Sequence, residues 1–424
     1  MVVPTVGFSA PPVPTATPTP ATATATPRSG VPSPKLEELQ RQVEALTHQL
    51  EQVQSELADL KQNQQQELQQ NETARLRQAA AAAAASTAPA EIDTTTSFVS
   101  GTRMQPQLNP EISLTGTMYA LGGSNEQERF SVGEWELDIQ SYLDPYAKVH
   151  VVLAKPENES LDLEEGYVTW LGLPGHTALT VGKKRQQFGV LNRLHPHAYD
   201  QVDAPLVLTE TFGEEGLAGT GLSVDWNMPP LWADANELTV EVMNGDNDVA
   251  FAGESWEHPS LLARLKNYWD VTPDSYFELG LNGLHGNADS DGHLDHDIYA
   301  LDLTYNWYPA GRELYREVTL RGMLLYSDLA LDTSSSREAW GGYVYGQLKL
   351  SPRWITGIRY DYVEDQREDG HSYWGVSPYL TMWQSEFVRL RGQLDYLDDN
   401  LAGVDRRFVL QLTVAAGPHK HDSY

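Results

Sequence analysis

The stretch VRLRGQLDYL, residues 388–397, places Val388, Leu390, Gly392, Leu394 and Tyr396 on one parity and Arg389, Arg391, Gln393 and Asp395 on the other. Side chains alternate across a β-strand, so a period of two separates these chemistries only in extended chain. A soluble sandwich would bury the oily face against a second sheet. An outer-membrane barrel would turn it to lipid and leave the polar face on an aqueous lumen.

The pattern recurs. In GEWELDIQSY (133–142) the apolar parity is Trp135, Leu137 and Ile139, and in DIYALDLTYNW (297–307) it is Tyr299, Leu301, Leu303, Tyr305 and Trp307. NELTVEVMN, REVTLRGMLLYS, GGYVYGQLKL, WITGIRYDY and RRFVLQLTV alternate likewise. Sixteen such segments begin near residues 109, 130, 146, 160, 176, 216, 235, 261, 276, 296, 315, 338, 354, 372, 387 and 405. The count is even, as single-chain bacterial barrels require.

The connections sort as well. Even-to-odd connections are short turns (LDPYA, LPGH, TPDS, YPAGREL, SPR and WQSE) apart from the longer NMPPLWADA. Odd-to-even connections, such as GGSNEQER, NGDNDVAFAGESWEHPS, HGNADSDGHLDHD, LALDTSSSRE and EDQREDGHS, are longer or more polar. Short turns on one rim and long loops on the other are the layout of a membrane barrel. Tyr142, Tyr146, Trp170, Trp226, Tyr268, Trp269, Trp307, Tyr308, Trp354, Trp374 and Trp383 fall near strand ends, where interfacial girdles lie. The fold expected is an all-β transmembrane barrel of about 16 antiparallel strands over residues 107–424.

The 424 residues carry 29 Lys+Arg against 59 Asp+Glu, a net charge of −30, which argues against nucleic acid and anionic lipid surfaces as partners. Cysteine is absent, which removes disulfides, thiolate metal sites and cysteine nucleophiles and suits an oxidising compartment. No apolar run reaches the roughly 18–20 residues of a membrane-spanning helix. The opening MVVPTVGFSAPPVPTATPTP has neither a basic n-region nor an apolar core, so no signal peptide is visible.

Ahead of the barrel, residues 1–34 are rich in Pro, Thr and Ala and read as a disordered leader. Residues 35–78 read as a coiled coil, with Leu36, Leu39, Val43, Leu46, Leu50, Val53, Leu57 and Leu60 alternating in steps of three and four. Its four heptads span about 40 Å, and a lone helix would leave the seam wet, so self-association is expected. Residues 79–106 form an Ala-rich linker.

The longest odd-to-even connection is the third, GVLNRLHPHAYDQVDAPLVLTETFGEEG, residues 189–216, and it carries apolar residues that a solvated loop does not need. Here the chain resembles Gram-negative outer-membrane porins, in particular the broad 16-stranded group that includes the phosphate-selective O/P type. The likeness rests on VGKKRQQFGVLNRLHPHAYDQVDAPL, the first strand NPEISLTGTMYA, and the closing FVLQLTVAAGP with a C-terminal aromatic, Tyr424. It implies an outer-membrane location and a third loop folded into the lumen as a filter. It also implies a homo-oligomer, a trimer above all, with the coil in the periplasm, within reach of the cell wall.

Candidate filter residues are Lys183, Lys184, Arg185, Arg193, His195 and His197, with Asp200, Asp203, Glu210, Glu214 and Glu215 opposing the basic run across the lumen. Residues 94–424 hold 23 basic and 49 acidic residues, a net charge of −26, which argues against anion selectivity. Lumen carboxylates Glu134, Glu136, Asp138, Glu237, Glu241, Asp302 and Asp361 favour cations. His285, Asp289, Asp291, His293, Asp295 and His296 gather imidazole and carboxylate donors suited to divalent ions, in no defined metal-motif spacing. The reading that follows is a water-filled, cation-preferring diffusion channel for small hydrophilic solutes or ions, embedded in lipid and lipopolysaccharide. An anchor or tether acting through the coil and a divalent-metal entry channel are the alternatives. No nucleophile elbow or Ser/His pairing marks an enzyme, and no cofactor is implied.

Overall fold

The computed structural model describes residues 110–124, 128–245, 247, 249–253, 257–309, 311–312 and 315–417. The expected leader, coiled coil, linker and seam residues Leu36 to Leu60 lie outside the described residues, as does the C-terminal Tyr424.

Sixteen strands follow in chain order: β1 Glu111–Gly123, β2 Arg129–Asp144, β3 Ala147–Pro156, β4 Asp162–Leu173, β5 Thr177–Arg185, β6 Ala218–Met228, β7 Ala235–Asn244 and β8 Pro259–Thr272. The remainder are β9 Ser275–Asn287, β10 Asp295–Trp307, β11 Glu317–Asp332, β12 Ser335–Ser351, β13 Trp354–Glu364, β14 Ser372–Ser385, β15 Val388–Asp399 and β16 Gly403–Ala416. Each begins within three residues of the start read from the sequence. All neighbours are antiparallel, and β1 pairs with β16, Leu114 opposite Ala416, so the sheet closes into a barrel.

Burial decides which way the strands face. On β15, Arg389, Arg391, Gln393 and Asp395 are buried, whereas Leu394 is 56% exposed. On β10, Asp302 and Thr304 are buried while Tyr299, Leu301 and Leu303 stand out from the wall. Polar in and apolar out is the reverse of a soluble fold and the pattern of a barrel in lipid. Aromatic residues mark both ends of the apolar band. Tyr142, Tyr146, Trp170, Trp226 and Trp354 are exposed toward the short-turn rim, and Trp340, Trp374 and Tyr299 toward the other.

One connection differs from expectation. The composition of LALDTSSSRE predicts a polar loop, yet β11 and β12 run through most of it and turn at residues 333–334. Asp332 holds the tight turn, accepting from Ser334 N at 2.7 Å and Ser335 N at 3.0 Å, so the flanking residues are free to pair as strand.

The core lies inside the barrel and on one side of it. Leu262, Leu284, Ile298, Met323, Leu325, Tyr343 and Val363, on the inner wall from β8 to β13, pack against Phe188, Leu191, Val207, Leu208, Phe212 and Leu217 from the connection between β5 and β6. That connection holds a 3-10 turn, Pro196–Ala198, and a short helix α1, Leu206–Phe212. Gly213 ends α1 at φ +82°, a left-handed conformation that glycine adopts without a Cβ penalty, and its N–H donates to Thr209 O at 2.8 Å.

Candidate functional site

The connection 186–217 is closed on itself at its base and tied to inward wall side chains beyond it. At the base, Asn192 Nδ2 donates to Gln186 O at 2.8 Å and Leu217 O at 2.9 Å, and its Oδ1 accepts from Leu217 N at 2.8 Å. Gly189, at φ +61°, presses its backbone against Met323, and its N–H donates to Asn282 Oδ1 at 2.9 Å. A side chain at residue 189 would meet the Met323 methyl.

Across the lumen the ties are mostly arginines. Arg391 donates to the carbonyls of Tyr199, at 2.8 Å, and Gln201, while Arg389 donates to that of His197. Arg359 donates to Asp203 O at 2.8 Å and Asp203 Oδ1 at 3.0 Å, Arg407 reaches Asp203 Oδ2, and Gln393 Nε2 donates to Asp203 Oδ1 at 2.9 Å. Burial alone would raise the pKa of Asp203. Arg359 and Arg407 outweigh it and hold the carboxyl below its ordinary range. Asp200 accepts from Tyr345 Oη at 2.7 Å, and Arg321 donates to the same hydroxyl at 2.9 Å.

The other expected filter residues are distributed differently from the opposed arrays read in the sequence. Lys183 lies near Asp162 at 3.5 Å, Lys184 pairs with Glu241 at 3.0 Å, and Arg185 pairs with Glu164. Each partner sits on a neighbouring stretch of wall, so this basic run is neutralised locally. Arg193 lines a polar cavity of about 260 Å³ together with Glu165, Lys184 and Arg185. Glu210, Glu214 and Glu215 are exposed. Partial desolvation raises the pKa of Glu210 and Glu215, and repulsion by Asp365 and by Glu164, respectively, adds to it.

Of the expected lumen carboxylates, Glu136, Asp138, Glu241, Asp302 and Asp361 are buried, and Glu134 and Glu237 are half-buried. Most are matched: Asp138 by His150 at 2.9 Å, Asp302 by Arg264 at 3.1 Å and Asp361 by Arg359 at 2.6 Å. Paired carboxylates add little net field. The less balanced acidic surface is a second cavity of about 470 Å³, lined by Glu134, Glu159, Asp162, Glu164 and Glu215 with Lys183 as its one cationic residue.

His195 is surrounded by acids. Its Nδ1 lies 3.2 Å from Glu164 Oε2 and 3.4 Å from Glu136 Oε2, and its Nε2 lies 3.3 Å from Glu165 Oε2. His197 Nδ1 lies 3.1 Å from Glu136 Oε2. Burial would strip the proton from His195, but Glu136, Glu164 and Glu165 hold its pKa well above the ordinary histidine value. A strict two-residue period would send Glu164 and Glu165 to opposite faces. Instead, Val152 pairs with Glu165 and Leu153 with Leu163, so Glu164 is the extra residue of a β-bulge, and both carboxylates are buried beside the loop.

The candidate metal residues near β9 and β10 are not drawn together. His285 pairs with Asp297 at 2.9 Å in the open, and Asp289 caps a turn through His293 N and Leu294 N at 2.9 and 2.8 Å. His296 is buried between Ala250 O at 3.0 Å and Ser327 Oγ at 2.8 Å. Asp295 accepts from Asn287 Nδ2 at 3.0 Å, and the Asp291 carbonyl lies 2.7 Å from His293 Nδ1. Alternation concealed Glu164 and Glu165, which needed the bulge. Arg389 and Arg391 stand on the polar parity of β15, but alternation does not mark them as loop ties, since they reach the loop through backbone carbonyls.

No family model matches the sequence. An uncharacterized protein of Aquifex aeolicus is 27% identical over 375 residues, covering 76% of this chain and 77% of that protein. OmpT, an outer membrane protein of Vibrio cholerae solved in a trimer form, is 9% identical with a TM-score of 0.51, covering 72% of this chain and 99% of that one. An anion-selective porin from Comamonas acidovorans is 12% identical with a TM-score of 0.51, covering 72% and 98%. The closed barrel of 16 strands, its inverted polarity and these likenesses together give the chain the fold of the outer-membrane porins.

Proposed function

We propose that this chain is an outer-membrane diffusion channel for small hydrophilic solutes, narrowed by residues 186–217 and preferring cations. The observation that carries the reading is the inner wall. A barrel closed by β1–β16 pairing buries arginines, carboxylates and amides inside and exposes leucines outside, an arrangement that suits lipid around it and a polar lumen within. The loop fills the lumen along β8 to β13 with an apolar core, which leaves the polar cavities beside β2 to β7 for passage.

Cation preference rests on position rather than on total charge. An anion-selective porin shares the fold, so the sign is a property of the wall lining and not of the barrel. Here the 470 Å³ cavity carries Glu134, Glu159, Asp162 and Glu215, besides the Arg185-paired Glu164, against one lysine, a field that concentrates cations there. By the same reading the chain is a homo-oligomer in the outer membrane, and the solved trimer form of OmpT supports that assembly.

The test is conductance of purified, detergent-folded protein in a planar bilayer under a salt gradient. Stepwise currents with a reversal potential on the cation side are expected. Electrical silence from protein shown to be folded and inserted would overturn the channel, and an anion-side potential would overturn the preference.

A further inference from the structure

We propose that Glu136, Glu164 and His195 form a binding site for a divalent transition-metal ion, represented by zinc.

The donors are correctly spaced. Two ligands about 2.1 Å from one ion at the tetrahedral angle stand about 3.4 Å apart. His195 Nδ1 lies 3.2 Å from Glu164 Oε2 and 3.4 Å from Glu136 Oε2, and all three donors fall within 4.8 Å of one another. This is the one group of three or more such donors brought together among the described residues.

The donor atoms are also unspent. Glu136 Oε2, Glu164 Oε2 and His195 Nδ1 are cut off from solvent and none of the three makes a well-aligned hydrogen bond, although His197 Nδ1 stands 3.1 Å from Glu136 Oε2. The Glu136 side chain is 4% exposed. A single imidazole N–H between two carboxylate oxygens can satisfy one of them at most, whereas an ion that displaces the Nδ1 proton takes a lone pair from each atom. Leaving such acceptors buried without a partner is costly.

The surroundings hold the donors in place. His195 Nε2 faces Glu165 Oε2 at 3.3 Å, the outer carboxylate contact that orients a metal-bound imidazole and raises its basicity. Arg185 Nε donates to Glu164 Oε1 at 3.1 Å, which occupies that oxygen and leaves Oε2 for the ion. Arg185 N donates to Glu165 Oε1 at 2.7 Å, so the same residue fixes both arms of the bulge. Glu164 lines the 470 Å³ cavity and Glu165 the 260 Å³ cavity, so the site lies beside both. Nitrogen with two carboxylate oxygens suits zinc and its neighbours rather than calcium or magnesium, which take oxygen ligands alone.

The experiment is calorimetric titration of the folded, full-length chain with zinc chloride, which reads binding and not current, so its outcome is separate from that of the conductance test. One saturable site per chain is expected. His195→Gln and Glu136→Gln should each weaken it at least tenfold. A variant with His285→Gln, His293→Gln, His419→Gln and His421→Gln should stay within twofold of the parent. Absence of saturable binding, or binding moved by the four-histidine variant and not by His195→Gln, would overturn the proposal. Anomalous scattering from zinc-soaked crystals of the unaltered chain covers the case in which a variant does not fold. A zinc peak at bonding distance from the three donors is expected, and zinc only at other residues would refute the site.

Discussion

Arg391 on β15 donates from Nη2 to the backbone carbonyl of Tyr199 at 2.8 Å, joining the inner wall to a loop residue 192 positions earlier in the chain. Its Nη1 serves Gln201 O, and its Nε donates to Thr381 Oγ1 at 3.1 Å, so one guanidinium is shared between wall and loop. A carbonyl cannot be removed by mutation, but the arginine can. The tie therefore gives a direct handle on how far the loop closes the lumen.

Arg391→Met should release this part of the loop while leaving the barrel closed. Hydrogen bonds to charged groups contribute about 1.5–3 kcal/mol each, and every 1.4 kcal/mol is a factor of ten in an equilibrium. Protease cleavage within residues 196–205 should rise at least about tenfold, with larger and noisier single-channel currents. Unchanged cleavage in a folded variant would show that Arg359 and Arg407, through Asp203, hold the loop without it.

The apolar half of the lumen makes a separate demand. Phe188 is fully buried, with its ring edge-on to Phe212 at 5.1 Å. Phe188→Ala removes a core aromatic, a change that costs about 3–5 kcal/mol in typical cores. Amide exchange should accelerate across residues 186–217 and stay unchanged in β1 to β16. Equal acceleration in the strands would mean that the barrel depends on the loop core for its own stability.

Alternation made the strands readable because lipid and lumen each select one parity, and every strand reports both. The same rule hid the loop's path. Ile298, Leu284, Met323 and Leu325 sit on the parity that alternation assigns to polar residues, and they are apolar because they face Phe188, Leu191 and Val207 rather than water. Those breaks in the polar parity were the available sign that something packs inside the barrel between β8 and β13. What it is could not be read, since 186–217 has no period of its own. The cluster at His195 was less legible still, because a bulge between β3 and β4 aims both Glu164 and Glu165 inward where alternation separates them.

Outward positions should tolerate apolar change and resist charge. Leu394, mid-strand on β15 and 56% exposed, meets lipid in the porin reading. Leu394→Arg should destabilise the folded barrel by about 2–4 kcal/mol in lipid vesicles, as measured by reversible urea unfolding, and Leu394→Phe by much less. Equal tolerance of both would argue that this face is not in a bilayer.

Selectivity should reside in the acidic cavity. Glu134→Gln, Glu159→Gln, Asp162→Asn and Glu215→Gln together remove four of the five carboxylates lining it and keep Lys183. The reversal potential should move toward zero or to the anion side. Asp302→Asn should move it far less, because Asp302 is already matched by Arg264 at 3.1 Å. The reverse ranking would place the filter deeper in the wall.

Acid should separate selectivity from loop release. Glu215 has its pKa raised by partial desolvation and by Glu164 against the pull of Arg185, so it loses its charge at a pH above the ordinary glutamate value of about 4.3. Asp203 is depressed: burial opposes ionisation, but Arg359, Arg407 and Gln393 prevail, even with Asp361 and Asp395 beside those arginines. A depressed carboxyl contributes its full stabilisation above its unfolded pKa, about 3.9 for aspartate, and loses it as pH falls through the lower folded value. On acidification from pH 7, cation preference should therefore fade first, with the loop still docked. Cleavage within 196–205 should rise only below about pH 3.9, the ordinary aspartate value. Asp203→Asn should show the raised cleavage already at neutral pH and flatten its acid dependence. Loop release at a higher pH than the loss of selectivity would mean that a group other than Asp203 governs docking.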